Sequence, residues 1–298
     1  MERIGWVGCG LMGRGMAMNL LKAGHAVTVI AHRRREGVEA LLAAGAREAD
    51  SLEALAHDSD AVGLCVTDAP AVEATVAGLA PGLAEGALVL DATTSQPETS
   101  RRMAERLAER GVRFADVPVT GGPPQAEAGA LATLAGCAEA DWPRVEALCG
   151  RYSKVARRFG EVGAGNAAKL INNFVTQSTQ AVLSEAFERA REVGLDRRAL
   201  YDVMMTGGAR SAILERTMPK ALDGEFDGSR FALRNALKDV RYYCAFAEGA
   251  GGLSPTAEAT RGVLEAAAEG GHGDRFVSAL FDREVAALFR RLWRAGGG

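Results

Sequence analysis

The chain of 298 residues predicts an N-terminal doubly wound α/β domain of Rossmann type, a long connecting helix and an all-α C-terminal domain. Three observations lead there. Short apolar runs alternate with helical stretches through the first half, which is the pattern of a parallel sheet covered on both faces. A glycine-rich segment follows the first such run directly and opens a helix. After about residue 160 helix-period segments take over and run to the end. The length accommodates this plan, with boundaries expected at 1–162, 163–194 and 195–298.

Taken in order, residues 4–7 read as the first strand and 13–23 as the helix behind it. A second strand is expected over 26–31, followed by an arginine-rich turn at 33–35. Residues 61–66, 87–91 and 114–117 read as further buried strands with helices between them. From 167 to 193 apolar residues recur at helical spacing without a proline, until Gly194 offers a C-cap. That is about 40 Å of helix at 1.5 Å per residue, long enough to cross from one domain to the next. Helices are expected over 198–205, 211–222, 233–248, 255–269 and 276–293, and the tail 295–298 is expected to fray.

Composition narrows the function classes. A net charge of -3 argues against wholesale binding to nucleic acid or an anionic membrane. No apolar run is long enough to span a bilayer, and the opening Met1-Glu2-Arg3 leads into a strand without a signal pattern, so a cytoplasmic protein is expected. Cys9, Cys65, Cys137, Cys149 and Cys244 are scattered and form no C-x-x-C, and the four histidines lack zinc-ligand spacing. Reduced thiols and no metal are the expectation.

Gly8-Cys9-Gly10-Leu11-Met12-Gly13 is a G-x-G-x-x-G in the strand–turn–helix setting that gives this motif its meaning. Gly8 permits the tight turn, Gly10 lets the backbone approach a pyrophosphate, and Gly13 lets helix and strand pack closely. With Leu11 and Met12 they form the expected phosphate cradle, where a helix N-terminus offers N–H groups and a positive dipole end. An NAD site usually carries an acid about 20 residues on, at the end of the second strand. Here that strand runs into His32-Arg33-Arg34-Arg35. A carboxylate would repel the extra phosphate of NADP, whereas a guanidinium binds it in bidentate fashion. His32, Arg33 and Arg34 are therefore the expected contacts, with NADP the favoured cofactor and NAD admitted.

Four further segments carry a resemblance over nearly the whole chain. Asp91-Ala92-Thr93-Thr94-Ser95-Gln96-Pro97 resembles D-x-S-T-x-x-P. Asp116-Val117-Pro118-Val119-Thr120-Gly121-Gly122 resembles D-x-P-V-S-G-G. The run from Gly163 to Asn173 matches G-x-G-x-x-x-K-x-x-x-N, and Lys238-Asp239 stands where a K-D pair belongs. In this order the segments resemble the β-hydroxyacid dehydrogenase family, which includes 3-hydroxyisobutyrate dehydrogenases and tartronate and succinic semialdehyde reductases, with 6-phosphogluconate dehydrogenase as a relative. The resemblance implies that Val66 and Thr67 line the cofactor cleft and that Thr94 sits near the nicotinamide ribose. It implies that Thr120, Gly121 and Gly122 present a hydroxyl and N–H groups to a small carboxylate substrate. Lys169 would be the catalytic acid/base, Asn173 would help hold the substrate, and Lys238 would close over substrate and nicotinamide. A homodimer or homotetramer is also implied. Thr120 replaces the usual serine, Thr67 a common proline, and Pro123-Pro124 stiffens the loop.

Alcohol oxidation needs a hydride acceptor, which the cofactor supplies, and a base, which the protein supplies. Lys169 is expected at the start of the long helix, where the dipole disfavours an ammonium. Asn173, four residues on, shares its face, and Asn172 is expected to be structural. Arg210 is balanced between binding a second anionic group and lying on the surface. The alternatives are an imine reductase on the same plan, which would carry Asp or Tyr in place of Lys169, and a non-catalytic dinucleotide-binding regulator. The latter would be expected to lack Lys169 or the glycine fingerprint.

Overall fold

The computed structural model describes residues 1–32 and 34–295, with side chains through 289. Arg33, expected at the ribose phosphate, and residues 296–298 of the tail lie outside the described residues. The chain divides into two compact units, Met1–Lys169 and Leu170–Gly298.

In the first unit the strands are β1 (Arg3–Val7), β2 (Ala26–Ile30), β3 (Arg47–Glu48), β4 (Ala61–Leu64), β5 (Leu88–Asp91), β6 (Arg113–Asp116), β7 (Val119–Thr120), β8 (Leu131–Gly136) and β9 (Ser153–Gly160). The helices among them are α1 (Leu11–Lys22), α2 (Glu36–Ala43), α3 (Leu52–His57), α4 (Ala69–Leu79), α5 (Pro97–Ala108), α6 (Pro123–Glu127) and α7 (Trp142–Cys149). Six strands run parallel in the spatial order β3-β2-β1-β4-β5-β6. Alternate residues of β1, β4, β5 and β6 feed opposite cores. Ile4, Trp6, Ala61, Leu88, Leu90 and Ala115 pack on one face. Val7, Val62, Leu64, Val89 and Phe114 pack on the other. Sheets buried on both faces need such continuously apolar strands.

Beyond β6 the sheet turns antiparallel. The pairs Asp116↔Gly136, Val119↔Thr133 and Thr120↔Ala132 share one register, so β6 and β7 are a single strand interrupted at Val117-Pro118. Pro118 has no N–H to give, but its carbonyl accepts from Leu134 at 2.9 Å. β9 then pairs parallel to β8. The sequence reading did not anticipate β8 and β9, and their composition shows why. β8 is half alanine and glycine, and β9 carries Lys154, Arg157 and Arg158.

α8 (Ala164–Glu192) begins in the first unit and continues in the second. Leu195 N–H donates back to Ala190 O past Gly194, which has φ 73°, so the expected C-cap is where the helix stops. The second unit is otherwise helical, with α9 (Arg197–Met204), α10 (Ala212–Leu222), α11 (Leu233–Gly249), α12 (Pro255–Ala267) and α13 (Arg283–Ala295). α12 ends in a π turn at Ala268–His272. The expected helix over 276–293 is divided: a 3₁₀ segment at Val277–Phe281 stops at Asp282, whose carboxylate accepts from Glu284 N–H and starts α13. One core gathers Leu233, Val240, Leu264 and Val285 of α11, α12 and α13. A second gathers Leu183, Phe187, Leu214 and Met218 of α8 and α10. No described helix is long and apolar enough to cross a membrane.

Candidate active site

The fingerprint turn lies between β1 and α1. Gly8 has φ +96°, in the region that only glycine occupies readily. A Cβ on Gly13 would lie 1.9 Å from the Gly8 carbonyl oxygen, so helix and turn meet only because no side chain intervenes. A Cβ on Gly10 would meet nothing within 4 Å. Gly10 is also the N-cap of α1 and supplies no side-chain cap. The first-turn N–H groups of α1 have no acceptor within the helix, and with Leu11 exposed beside them they are the donor set a pyrophosphate requires. The residues present fit a dinucleotide.

At the end of β2, His32 and Arg34 are exposed. Arg35 does not belong with them. Its guanidinium is bidentate to Glu48 at 3.0 and 3.1 Å and lies 3.6 Å from Glu39. The three-arginine turn read from the sequence therefore has one guanidinium already engaged by carboxylates of β3 and α2.

The loops after β4, β5 and β6 are stitched to one another. Asp91, fully buried at the end of β5, accepts the Thr93 N–H at 2.9 Å, and Thr93 Oγ1 accepts the Val66 N–H at 3.0 Å. Val66 and Thr94 are half-buried, and Thr67 is exposed. Ser95 N–H donates to Asn166 Oδ1 at 2.9 Å, and Asn166 Nδ2 donates to Ser100 Oγ at 3.1 Å. Asn166 lies in the first turn of α8, so the segment carrying Thr94 is tied to the helix carrying Lys169.

Asp116 makes the second tie. Its Oδ1 accepts the Gly163 N–H and its Oδ2 the Asn166 N–H, both at 2.6 Å. Asp116 ends β6, four residues before Thr120. Burial pushes its carboxyl up to about 6 although these backbone donors pull the other way. Neither this role nor that of Asn166 was read from the sequence. The cap lies 47 residues from the N–H it satisfies, far outside any local capping signature.

Two expectations need correction. Gly122 N–H, expected to face a substrate carboxylate, is donated to Gln125 Oε1 at 2.9 Å. Gly122 caps α6, and with prolines at 123 and 124 the nearest side chain able to reach back is Gln125. Thr120 and Gly121 remain half-buried and exposed, respectively. Lys169 is buried, but α8 starts three residues earlier than expected. The lysine is its sixth residue, past the first turn to which the dipole's influence is confined.

In the second unit Asn173 and Lys238 share a partner. Asp239 is 1% exposed; its Oδ2 accepts Asn173 Nδ2 at 2.6 Å, and its Oδ1 lies 3.2 Å from Lys238 Nζ. Lys238 also sits 5.3 Å over the Tyr242 ring. Asn172 Nδ2 donates to Asn173 Oδ1 at 3.2 Å, leaving the Asn173 amide fixed at both ends. Arg210 is exposed and lies 3.8 Å from Glu215, which favours the surface reading.

Comparison with known proteins places the chain in a family. Residues 3–163 match the pattern described as the NAD binding domain of 6-phosphogluconate dehydrogenase. Residues 163–282 match that described as NAD-binding of NADP-dependent 3-hydroxyisobutyrate dehydrogenase. The 2-(hydroxymethyl)glutarate dehydrogenase of Eubacterium barkeri is 32% identical, over 93% of each chain. The cytokine-like nuclear factor N-PAC of Homo sapiens is 30% identical, over 94% of this chain and 51% of its own. A crystal structure of 3-hydroxyisobutyrate dehydrogenase from Salmonella typhimurium is similar with a TM-score of 0.84 at 26% identity, covering 94% of this chain and 99% of that one. The chain belongs to the β-hydroxyacid dehydrogenase family of NAD(P)-dependent oxidoreductases.

Proposed function

We propose that this chain moves a hydride between NADP and a small β-hydroxy acid or the matching semialdehyde acid, with Lys169 as general acid/base. The observation that supports this reading best is the anchoring of α8. A buried lysine stands one turn beyond Asn166, which joins its helix to the Thr94 segment, and Asp116 joins the same turn to the strand of Thr120.

The cofactor supplies the hydride acceptor or donor. The turn at Gly8, Gly10, Leu11, Met12 and Gly13 holds the pyrophosphate on α1 N–H groups. His32, Arg33 and Arg34 receive the ribose phosphate, and Val66, Thr67 and Thr94 border the nicotinamide half. Thr120 and Gly121 orient the substrate carboxylate, with a hydroxyl and an N–H as donors. Lys169 takes the hydroxyl proton in oxidation and returns it to the carbonyl oxygen in reduction. Asn173 and Lys238, held by Asp239, fix the acid and contact the nicotinamide end.

The test is turnover with NADPH and NADH against succinic semialdehyde, glyoxylate, methylmalonate semialdehyde and tartronate semialdehyde, with cyclic imines and no substrate as controls. Lys169→Ala should lower kcat by about 10²–10⁴-fold while NADPH still binds. Lys169→Arg should fail nearly as badly, because guanidinium does not release its proton near neutral pH. A folded, NADPH-binding Lys169→Ala enzyme that keeps more than about a tenth of its kcat would remove the lysine from the chemistry. Reduction of imines but of no semialdehyde acid would replace the substrate class.

A further inference from the structure

We propose that Asp116 is a positioning residue for this reaction: its ionised carboxylate sets the first turn of α8, and with it Lys169, in register with the strand that leads to Thr120. The inference rests on the reading of Lys169 as acid/base.

The geometry is a two-point clamp. The carboxylate sits at the last residue of β6, and its two oxygens each take one N–H at 2.6 Å, from Gly163 and from Asn166. The clamped turn also rests directly on the sheet. A Cβ on Gly165 would lie 2.4 Å from the Asp116 carbonyl oxygen and 2.6 Å from that of Leu134. Asn166 passes the constraint on through its side chain, to Ser95 and Ser100. Three segments carrying proposed reactive or binding residues therefore meet at one buried carboxylate and its neighbour.

Stability alone does not explain the choice of residue. Asp116 has no exposed surface, and among the described residues no ion pair with it accompanies the two N–H bonds. The charged and titratable groups that bear on it are Arg101 of α5, whose charge favours the ionised form, and the Cys137 thiol beyond β8. Arg158 of β9 lies next to Cys137 but is paired with Glu161. Burial still raises the carboxyl to about 6. A neutral cap would avoid the desolvation cost of a buried charge. The ionised form, however, accepts from both N–H groups at full strength, whereas a proton on one oxygen leaves a weaker acceptor and loosens that end of the clamp. An amide nitrogen in its place sets a donor against a donor and frees one end outright.

Semialdehyde reduction consumes a proton, so a lysine acid loses nothing as pH falls. A loss of reductive kcat on acidification therefore reports on a different group. The experiment measures NADPH-dependent reduction of methylmalonate semialdehyde or tartronate semialdehyde, whichever turns over faster, from pH 5 to 8. It compares the unmodified enzyme, Asp116→Asn, Lys169→Ala and the double variant, with NADPH affinity followed by fluorescence. The unmodified kcat should fall below about pH 6. Asp116→Asn should lose kcat by roughly tenfold to a hundredfold, the size of a small misplacement of a reacting group. It should bind NADPH within about twofold of the unmodified enzyme and show no acid limb. Retained kcat, or a retained acid limb, overturns the proposal. So does an Asp116→Asn effect as large in the Lys169→Ala background as in its presence, since positioning acts through the lysine. Failure of the lysine reading shows separately, as an active Lys169→Ala single variant. If Asp116→Asn does not fold, the unmodified profile decides: an acid limb near pH 6 supports the clamp, and a flat profile to pH 5 overturns it.

Discussion

Gly13→Ala is the smallest change that should separate the dinucleotide turn from the rest of the sheet. Alanine is the better helix former by about 1 kcal/mol, and Gly13 lies inside α1, so propensity alone forecasts a gain. Packing forecasts the reverse. The new Cβ would stand 1.9 Å from the Gly8 carbonyl oxygen and 3.0 Å from Trp6 Nε1. A carbon–oxygen contact needs about 3.3 Å, so helix and turn must part by more than an ångström. The methyl also enters the space where Trp6 Nε1 donates to Gly8 O at 3.3 Å, and a lost hydrogen bond of this kind costs about 1 kcal/mol. Overpacking of this kind costs about 1–3 kcal/mol, which exceeds the propensity gain. For a chain of this size each kcal/mol lowers Tm by about 2–4 °C. Binding amplifies the effect, because NADPH at a hundred times its Kd adds about 2.7 kcal/mol to the unmodified protein. Melts with and without NADPH, together with a fluorescence titration, measure both parts. A Gly13→Ala protein with unchanged Tm and NADPH affinity within twofold would show that the close approach of α1 to the turn is not what builds the phosphate cradle.

Two more measurements probe the ends of the same site. Arg33→Ala should weaken NADPH about tenfold or more and NADH much less, since a charge-assisted phosphate contact contributes about 1.5–3 kcal/mol; better turnover with NADH in the unmodified enzyme would contradict an NADP site. Asp116 gives a signature in stability as well as in rate. Its carboxyl is raised from 3.8 to about 6 in the folded state, so between those values the folded chain holds a proton that the unfolded chain has released. Stability from this group is full below pH 4 and is lost as pH rises toward 6, by roughly 3 kcal/mol for a shift of about two units. The Tm of Asp116→Asn relative to the unmodified protein should therefore climb between pH 4 and 7, and a constant difference would refute the buried charge.

What could be read from the sequence was what repeats locally. The β1–turn–α1 fingerprint, the parallel strands β1, β2, β4, β5 and β6, and α8 with its glycine stop all depend on neighbours within a few turns or one strand length. The clamp at Asp116 does not. Its partners lie 47 and 50 residues away, and nothing in D-x-P-V marks the aspartate as a helix cap. Gln125 taking the Gly122 N–H and Arg35 turning to Glu48 are similar cases: a plausible ligand group is satisfied by a side chain that the motif does not include. The pattern puts Lys169 on the helix but three residues too near its start, because Ala164 and Gly165 read as loop until Asp116 is seen to satisfy the first N–H groups.

The strand hardest to recognise also has a bearing on how molecules of this protein meet one another. Among the described residues β9 pairs with β8 alone, so it forms a border of the sheet. Such a border invites a strand from a neighbouring molecule, most of all when it is flat and uncharged. β9 is neither. Lys154 and Arg157 stand exposed along it, and its pairing with β8 shifts register near both ends. A second sheet approaching this border would have to desolvate two cations and match a bent edge. The charges that hide β9 from a reading by pattern are thus the ones that stand along its border, and exchanging Lys154 and Arg157 for valine should make a more regular strand and a protein that self-associates more readily on concentration.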